Sequence, residues 1–207
     1  SRLAIGKQKF MREPLSSSHM VDIAEYIRTK CEAETCEIIY RFPYFLIKTA
    51  PTSKESGIVH YNTVFKMIKT KDDYKFSFNV EVMATSLCPC SKEISESGAH
   101  NQRSRISITC IPKKDEWVWI EDIITLAESS ASCSMYSVLK RSDEKYVTDF
   151  AYENPKFVED MVREIYFKLT EQNSLECFDV QVSNEESIHL HNAYARMYSG
   201  EEVHKHI

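Results

Sequence analysis

Residues 74–84, YKFSFNVEVMA, place Tyr74, Phe76, Phe78, Val80, Val82 and Ala84 in alternation with Lys75, Ser77, Asn79, Glu81 and Met83. Period two over eleven residues predicts a strand with one buried and one outward face. Residues 103–112 repeat the pattern, with Ile106, Ile108 and Cys110 opposite Arg105, Ser107 and Thr109. The Cys-, Ser- and Gly-containing stretch between them is too long for a tight hairpin turn.

Two helices are expected downstream. In residues 115–130 the apolar positions Trp119, Ile120, Ile123, Ile124 and Ala127 recur at three and four. In residues 155–169 the stripe is Val158, Met161, Val162, Ile165 and Leu169, with Asn154 as N-cap and Pro155 at the first helical position. The polar segment 132–153 between them reads as a loop. Strands at 177–183 and 187–198 complete a ββααββ order. Upstream, helical patterns occupy 1–10 and 17–31, the second capped by the serines before His19, and strand-like runs occupy 37–50 and 58–70. That ααββ order is the same unit with its opening hairpin missing. The expectation is an α+β protein of two modules, 1–72 and 73–207, each an antiparallel sheet with a helix pair on one face.

Composition narrows the function classes. With 43% hydrophobic and 28% charged residues over 207 positions, the chain is ordinary globular protein. A net charge of -5 argues against a nucleic-acid binder working by phosphate neutralisation, although a local cationic cluster still suits a small anion. No run approaches the roughly 20 apolar residues of a membrane helix, and no signal-peptide pattern is present. Seven cysteines, an odd number, read as reduced thiols of a cytoplasmic protein.

Four segments carry candidate chemistry. In residues 86–103, Cys88 and His100 stand twelve residues apart at the rims of the two best strands, where a thiolate and an imidazole can meet on zinc or another divalent metal. The bland alternative for Cys88 and Cys90 is a small buried hydrophobe. In residues 185–191, EESIHLH, period two puts His189 and His191 on one face, so that Glu186 and His189 act as acid–base partners or ligands, or else sit in a solvated turn. Lys140, Arg141 and Lys145 form a cationic run that holds a polyphosphate or merely faces solvent. Glu159 suits the first turns of its helix through the dipole, and an i,i+4 pair with Arg163 accounts for it without a ligand.

Taken in order, "SLCPCSKEIS…GAHNQR", "LKRSDEKYVT", "AYENPKFVED" and "NEESIHLHNAYA" resemble the GTP cyclohydrolase IB family over about residues 74–198. The resemblance implies the tunnelling fold, with two ββααββ modules per subunit and homotetramers whose active sites lie between subunits. It implies Cys88, His100 and Glu144 as metal ligands, and Glu186 and His189 as further ligands or proton-transfer groups. It makes Glu159 the anchor for the guanine N1–H and 2-amino group, and gives Cys90 a supporting place behind the ligands. The resemblance further implies zinc, manganese or ferrous iron as the metal and GTP as the substrate. The reaction it implies is attack at C8 by a water that the metal would acidify, with protonation of N7 by His189, a second hydrolysis that releases formate, and ribose rearrangement and reclosure to 7,8-dihydroneopterin 3'-triphosphate, for folate or 7-deazaguanine tRNA-base synthesis. Lys140, Arg141, Lys145, Lys92 and Arg103 are the candidates for the triphosphate.

Three departures stand out. Ser137 and Ser142 replace family prolines in the stretch carrying Glu144, Ser104 replaces a common glycine, and the opening hairpin is absent. The competing readings are a tunnelling-fold nitrile reductase with a covalent Cys, an archaeal-type cyclohydrolase giving a cyclic phosphate, and a non-catalytic purine- or metal-binding module.

Overall fold

The computed structural model describes residues 16–200 and 203. The helix expected over 1–10 and the tail residues His204 and His206 lie outside the described residues. Helix α1 (Ser17–Lys30) starts where the Ser16 hydroxyl accepts the His19 N–H at 3.2 Å, as the serine run predicts. Strands β1 (Cys36–Thr49) and β2 (Ser56–Lys69) follow, and α1 packs on both. Next come β3 (Tyr74–Leu87), a short α2 (Pro89–Ile94), β4 (Asn101–Pro112), α3 (Ile120–Ser129), β5 (Cys133–Ser134), α4 (Arg141–Glu153), α5 (Val158–Thr170), β6 (Leu175–Asn184) and β7 (Ala193–Ser199).

The strands form one antiparallel sheet in the order β1-β2-β3-β4-β6-β7, with β5 pairing off the path to β3. The alternation in β3 and β4 does what it predicts. Val80 pairs with Ile108 and Val82 with Ile106; those isoleucines face Val180 and Val182 of β6. All six are fully buried on one face. Helix α5 lays Met161, Val162, Ile165 and Leu169 against β6 and β7, and α3 lays Ile123, Ile124 and Ala127 against β3. Each such side chain stabilises the fold by about 1.5–3 kcal/mol relative to exposure.

The structure departs from the sequence reading in five places. The expected two sheets are one, because only residues 70–73 separate β2 from β3. That turn, closed by Thr70 N–H on the Asp73 carbonyl at 2.9 Å, makes them adjacent hairpin partners. The expected loop at 132–153 contains the thirteen-residue α4, whose wholly buried residues are just Asp143 and Ala151, too few to mark an apolar stripe. Asn154 caps the end of α4, with its N–H and side-chain amide both on the Phe150 carbonyl, instead of starting α5. Helix α3 begins only at Ile120, after Asp115 at φ 65, which leaves Trp119 57% exposed instead of in the core. Finally, β7 begins at Ala193, so residues 185–192 form a loop and not strand.

Candidate functional site

Strands β3, β4 and β6 finish side by side. Leu87 pairs with Asn101, Ser86 with Gln102, and Ser104 with Asn184, so the segments following β3 and β6 and preceding β4 converge. The Cys88 N–H donates to the His100 carbonyl at 3.1 Å, carrying the ladder one step past the strands. Cys88 is the N-cap residue of α2, and Pro89 at the first helical position has no N–H to leave unpaired. The Ser91 hydroxyl donates to the Cys88 carbonyl at 3.1 Å and accepts the His100 N–H at 3.2 Å, fastening the short helix to the histidine.

His100 and Glu186 are brought together. The His100 Nδ1 lies 3.8 Å from Glu186 Oε2, with side chains 13% and 11% exposed. The same Nδ1 is 2.8 Å from Gln102 Oε1. An amide oxygen only accepts, so this hydrogen bond uses a proton on Nδ1 and leaves Nε2 as the ring nitrogen for a ligand. Under this pair lies a buried polar shelf. Gln102 Nε2 and Asn184 Nδ2 donate to Ser86 Oγ at 3.3 and 3.1 Å, Ser86 Oγ donates to the Lys156 carbonyl at 2.8 Å, and Ser104 Oγ donates to Asn184 Oδ1 at 2.6 Å. The sequence reading assigned no role to Ser86, Gln102 or Asn184. Their signal was nevertheless present: each continues its strand's core-facing alternation with a polar residue.

The remaining candidates lie on α2, β4, α4, α5 and the 185–192 loop. Glu144 is exposed in the first turn of α4. His189 and His191 are exposed in the 185–192 loop, their rings stacked at 5.2 Å. Glu159 is exposed in the first turn of α5; Arg163 pairs with Asp160 at 3.2 Å and not with Glu159. Lys140 pairs with Glu55 and Lys145 with Asp149. Lys92 donates to the Tyr152 carbonyl and lies 4.3 Å above that ring, while Arg141 and Arg103 are exposed. Cys90 is exposed in α2. Among the described residues, no three His, Cys, Asp or Glu side chains gather closely enough to hold a metal.

Asp143, which the sequence reading passed over inside the cationic run, is fully buried. It accepts from the N–H groups of Thr52 and Ser53, both at 2.8 Å, and of Lys140 at 2.9 Å. Burial alone would raise its carboxyl, but a hydrogen bond from the Ser53 side chain and these backbone N–H groups outweigh burial and hold it below the usual carboxylate range. Asp143 thereby ties the start of α4 to the β1–β2 turn.

No helix among the described residues is long and apolar enough to cross a membrane. Among solved structures, uricase from Arthrobacter globiformis superposes with a TM-score of 0.53 over 96% of this chain and 73% of that one, at 6% identity, a likeness of fold alone. The GTP cyclohydrolase FolE2 of Nitrosospira multiformis is 51% identical over 166 residues, which are 80% of this chain and 62% of that protein. The chain thus spans less than two thirds of that relative's length. The GTP cyclohydrolase FolE2 of Magnetococcus marinus is 42% identical over 187 residues, 90% of this chain and 70% of that protein. A family model described as type I GTP cyclohydrolase folE2 matches residues 1–195, and on that match the chain belongs to the folE2 family of type I GTP cyclohydrolases.

Proposed function

We propose that this chain hydrolyses GTP at guanine C8, releasing formate and leaving 7,8-dihydroneopterin 3'-triphosphate. The observation that carries the reading is the half-buried His100–Glu186 pair beside Cys88, in a chain of this family. Nothing in the family match favours the nitrile reductase.

Thiolate, imidazole and carboxylate are the donor types of zinc, ferrous iron and manganese, and the lone pair on His100 Nε2 is the one that the Gln102 contact leaves for a ligand. The donor chemistry therefore fits a divalent metal, with Cys88 and His100 as its holders and Glu186, Glu144 and His189 as further donors. When bound, such an ion supplies a water acidified toward neutral pH. Glu159 accepts the guanine N1–H and 2-amino hydrogens, orienting C8 toward the shelf. His189 gives a proton to N7 as water adds to C8, and Glu186 takes up the proton that the water loses. Lys140, Arg141, Lys145, Lys92 and Arg103 hold the triphosphate.

Self-association to a homotetramer belongs to the same proposal, and so does the division into modules 1–72 and 73–207. The outer strands β1 and β7 each have a partner on one side only among the described residues, and Phe45, Ile47 and Ile58 on β1–β2 are exposed.

The test is incubation of the protein with GTP and each of zinc, manganese and ferrous iron, with formate and pterin assayed together. Both products should appear, and both should fall by about 10²-fold or more in Cys88→Ala and His100→Ala. Bound metal and bound GTP without formate would overturn the proposal in favour of a non-catalytic binding module.

A further inference from the structure

We propose that Ser86 is a positioning residue that holds three arms of the site in one register. The proposal rests on the cyclohydrolase reading for the roles of His100, Glu186 and Glu159, whose segments Ser86 joins.

Ser86 ends the core-facing row of β3 and is 1% exposed. A hydroxyl has one hydrogen to give and two lone pairs to fill. Here all three are used: on the Lys156 carbonyl, on Gln102 Nε2 and on Asn184 Nδ2. Each partner leads to a different arm. The far end of the Gln102 amide fixes the His100 ring. Asn184 ends β6 two residues before Glu186, and the intervening Glu185 N–H bonds the Arg103 carbonyl at 2.9 Å. Lys156 lies in the turn leading to α5 and Glu159, and its own N–H returns to the Leu87 carbonyl at 3.0 Å. One buried oxygen thus joins the segments that carry His100, Glu186 and Glu159. Without it, two amide N–H groups and a carbonyl are stranded where water is scarce, and the Gln102 amide loses what stops it turning.

The test compares Ser86→Ala with Ser130→Ala. Ser130 is equally buried and uses its hydroxyl twice, on the Leu126 carbonyl and Lys168 Nζ, but at the end of α3. With nitrogen-15-labelled histidine, the His100 ring in the wild type should show a protonated Nδ1 and a bare Nε2. Ser86→Ala should show both tautomers, and Ser130→Ala only the first. Zinc affinity by calorimetry should fall about tenfold or more in Ser86→Ala, stay unchanged in Ser130→Ala, and recover in Ser86→Thr. If Ser86→Ala does not fold, Gln102→Met cuts the His100 arm alone and faces the same two readouts. A single Nδ1–H tautomer with wild-type zinc affinity in the folded variant overturns the proposal, as does an equal loss in Ser130→Ala. If the wild type shows the tautomer and binds zinc but releases no formate, the cyclohydrolase reading falls while the role of Ser86 stands.

Discussion

The shelf beneath His100 and the exposed candidates, termed the rim, are both polar, but they are polar in opposite ways. On the shelf, Ser86, Gln102, Ser104 and Asn184 are buried and bonded to one another before any ligand arrives. Along the rim, Glu144, Arg141, Lys145, Glu159 and His189 face solvent on α4, α5 and the 185–192 loop. A buried polar group must be paired within the protein, so folding dictates the shelf's geometry. Exposed groups have water as an alternative partner, and the rim takes its working arrangement from what binds to it. The comparison teaches where precision comes from: His100 is aimed by the core, whereas the groups proposed for guanine and phosphate are aimed by the ligand.

If that division is right, changes on the shelf act on kcat, and changes at the rim groups proposed for guanine and triphosphate act on KM. The largest effect is expected for His100→Ala. Its removal should lower kcat/KM for formate release by about 10²-fold or more, with little change in the melting curve because the ring is not part of the main core. Glu159→Gln comes next. It keeps the shape but loses a charged acceptor for two guanine donors, so KM for GTP should rise by about one to two orders of magnitude. Formate release at saturating GTP should stay near wild type. A fall in kcat with KM unchanged would move Glu159 from the binding rim to the reacting end.

Asp143 sharpens the comparison because it is a shelf-like residue placed within the rim's own sequence. Its depressed carboxyl stabilises the folded state above the unfolded value, near 3.9, and that stability is lost as pH falls through the lower folded value. In Asp143→Asn the amide nitrogen meets an N–H donor in place of a carboxylate oxygen. Thermal melts at pH 7 should show a midpoint several degrees lower, with the gap from wild type closing as the buffer is acidified below about pH 4. A gap that persists unchanged in acid would mean that the hydrogen bonds to Asp143 do not depend on the charge.

The same contrast explains what could be read from the sequence. Strands β3 and β4 were legible because burial on one face and exposure on the other write period two directly into the residues. The α5 stripe was legible for the matching reason at period 3.6. Helix α4 was not, since it buries chiefly Ala151 and the charged Asp143, and a buried carboxylate looks like surface in a sequence. Residues 187–192 read as strand because Ile188 and Leu190 alternate with histidines, yet all four are exposed and the alternation has no core to face. At the site, the cysteine, histidines and glutamates drew attention as chemistry. The shelf residues were overlooked because serine, glutamine and asparagine at strand ends look like ordinary turn-formers. Extending the rows 80, 82, 84, 86 and 106, 104, 102 by position would have put polar groups on the core face and asked what pairs them.

The smallest effects belong to the five cations, and they test the rim most directly. Lys140 and Lys145 already pair with Glu55 and Asp149, and Lys92 with the Tyr152 carbonyl. Exposed pairs of this kind contribute about 0–1 kcal/mol, so a triphosphate can draw the lysines away at little cost. Arg141 and Arg103 have no such commitment among the described residues, and a guanidinium can take two phosphate oxygens at once. Single alanine substitutions should therefore raise KM for GTP about two- to tenfold with kcat nearly unchanged, and Arg141→Ala should exceed Lys140→Ala. Raising the salt to about 0.5 M should shrink every difference, since screening acts on exposed charges first. A KM that stays put in all five variants returns the run at 140–145 to a solvated helix start, and the triphosphate must then be held elsewhere. A rise in KM that survives high salt would mean that a cation is buried on binding, bringing part of the rim closer in kind to the shelf.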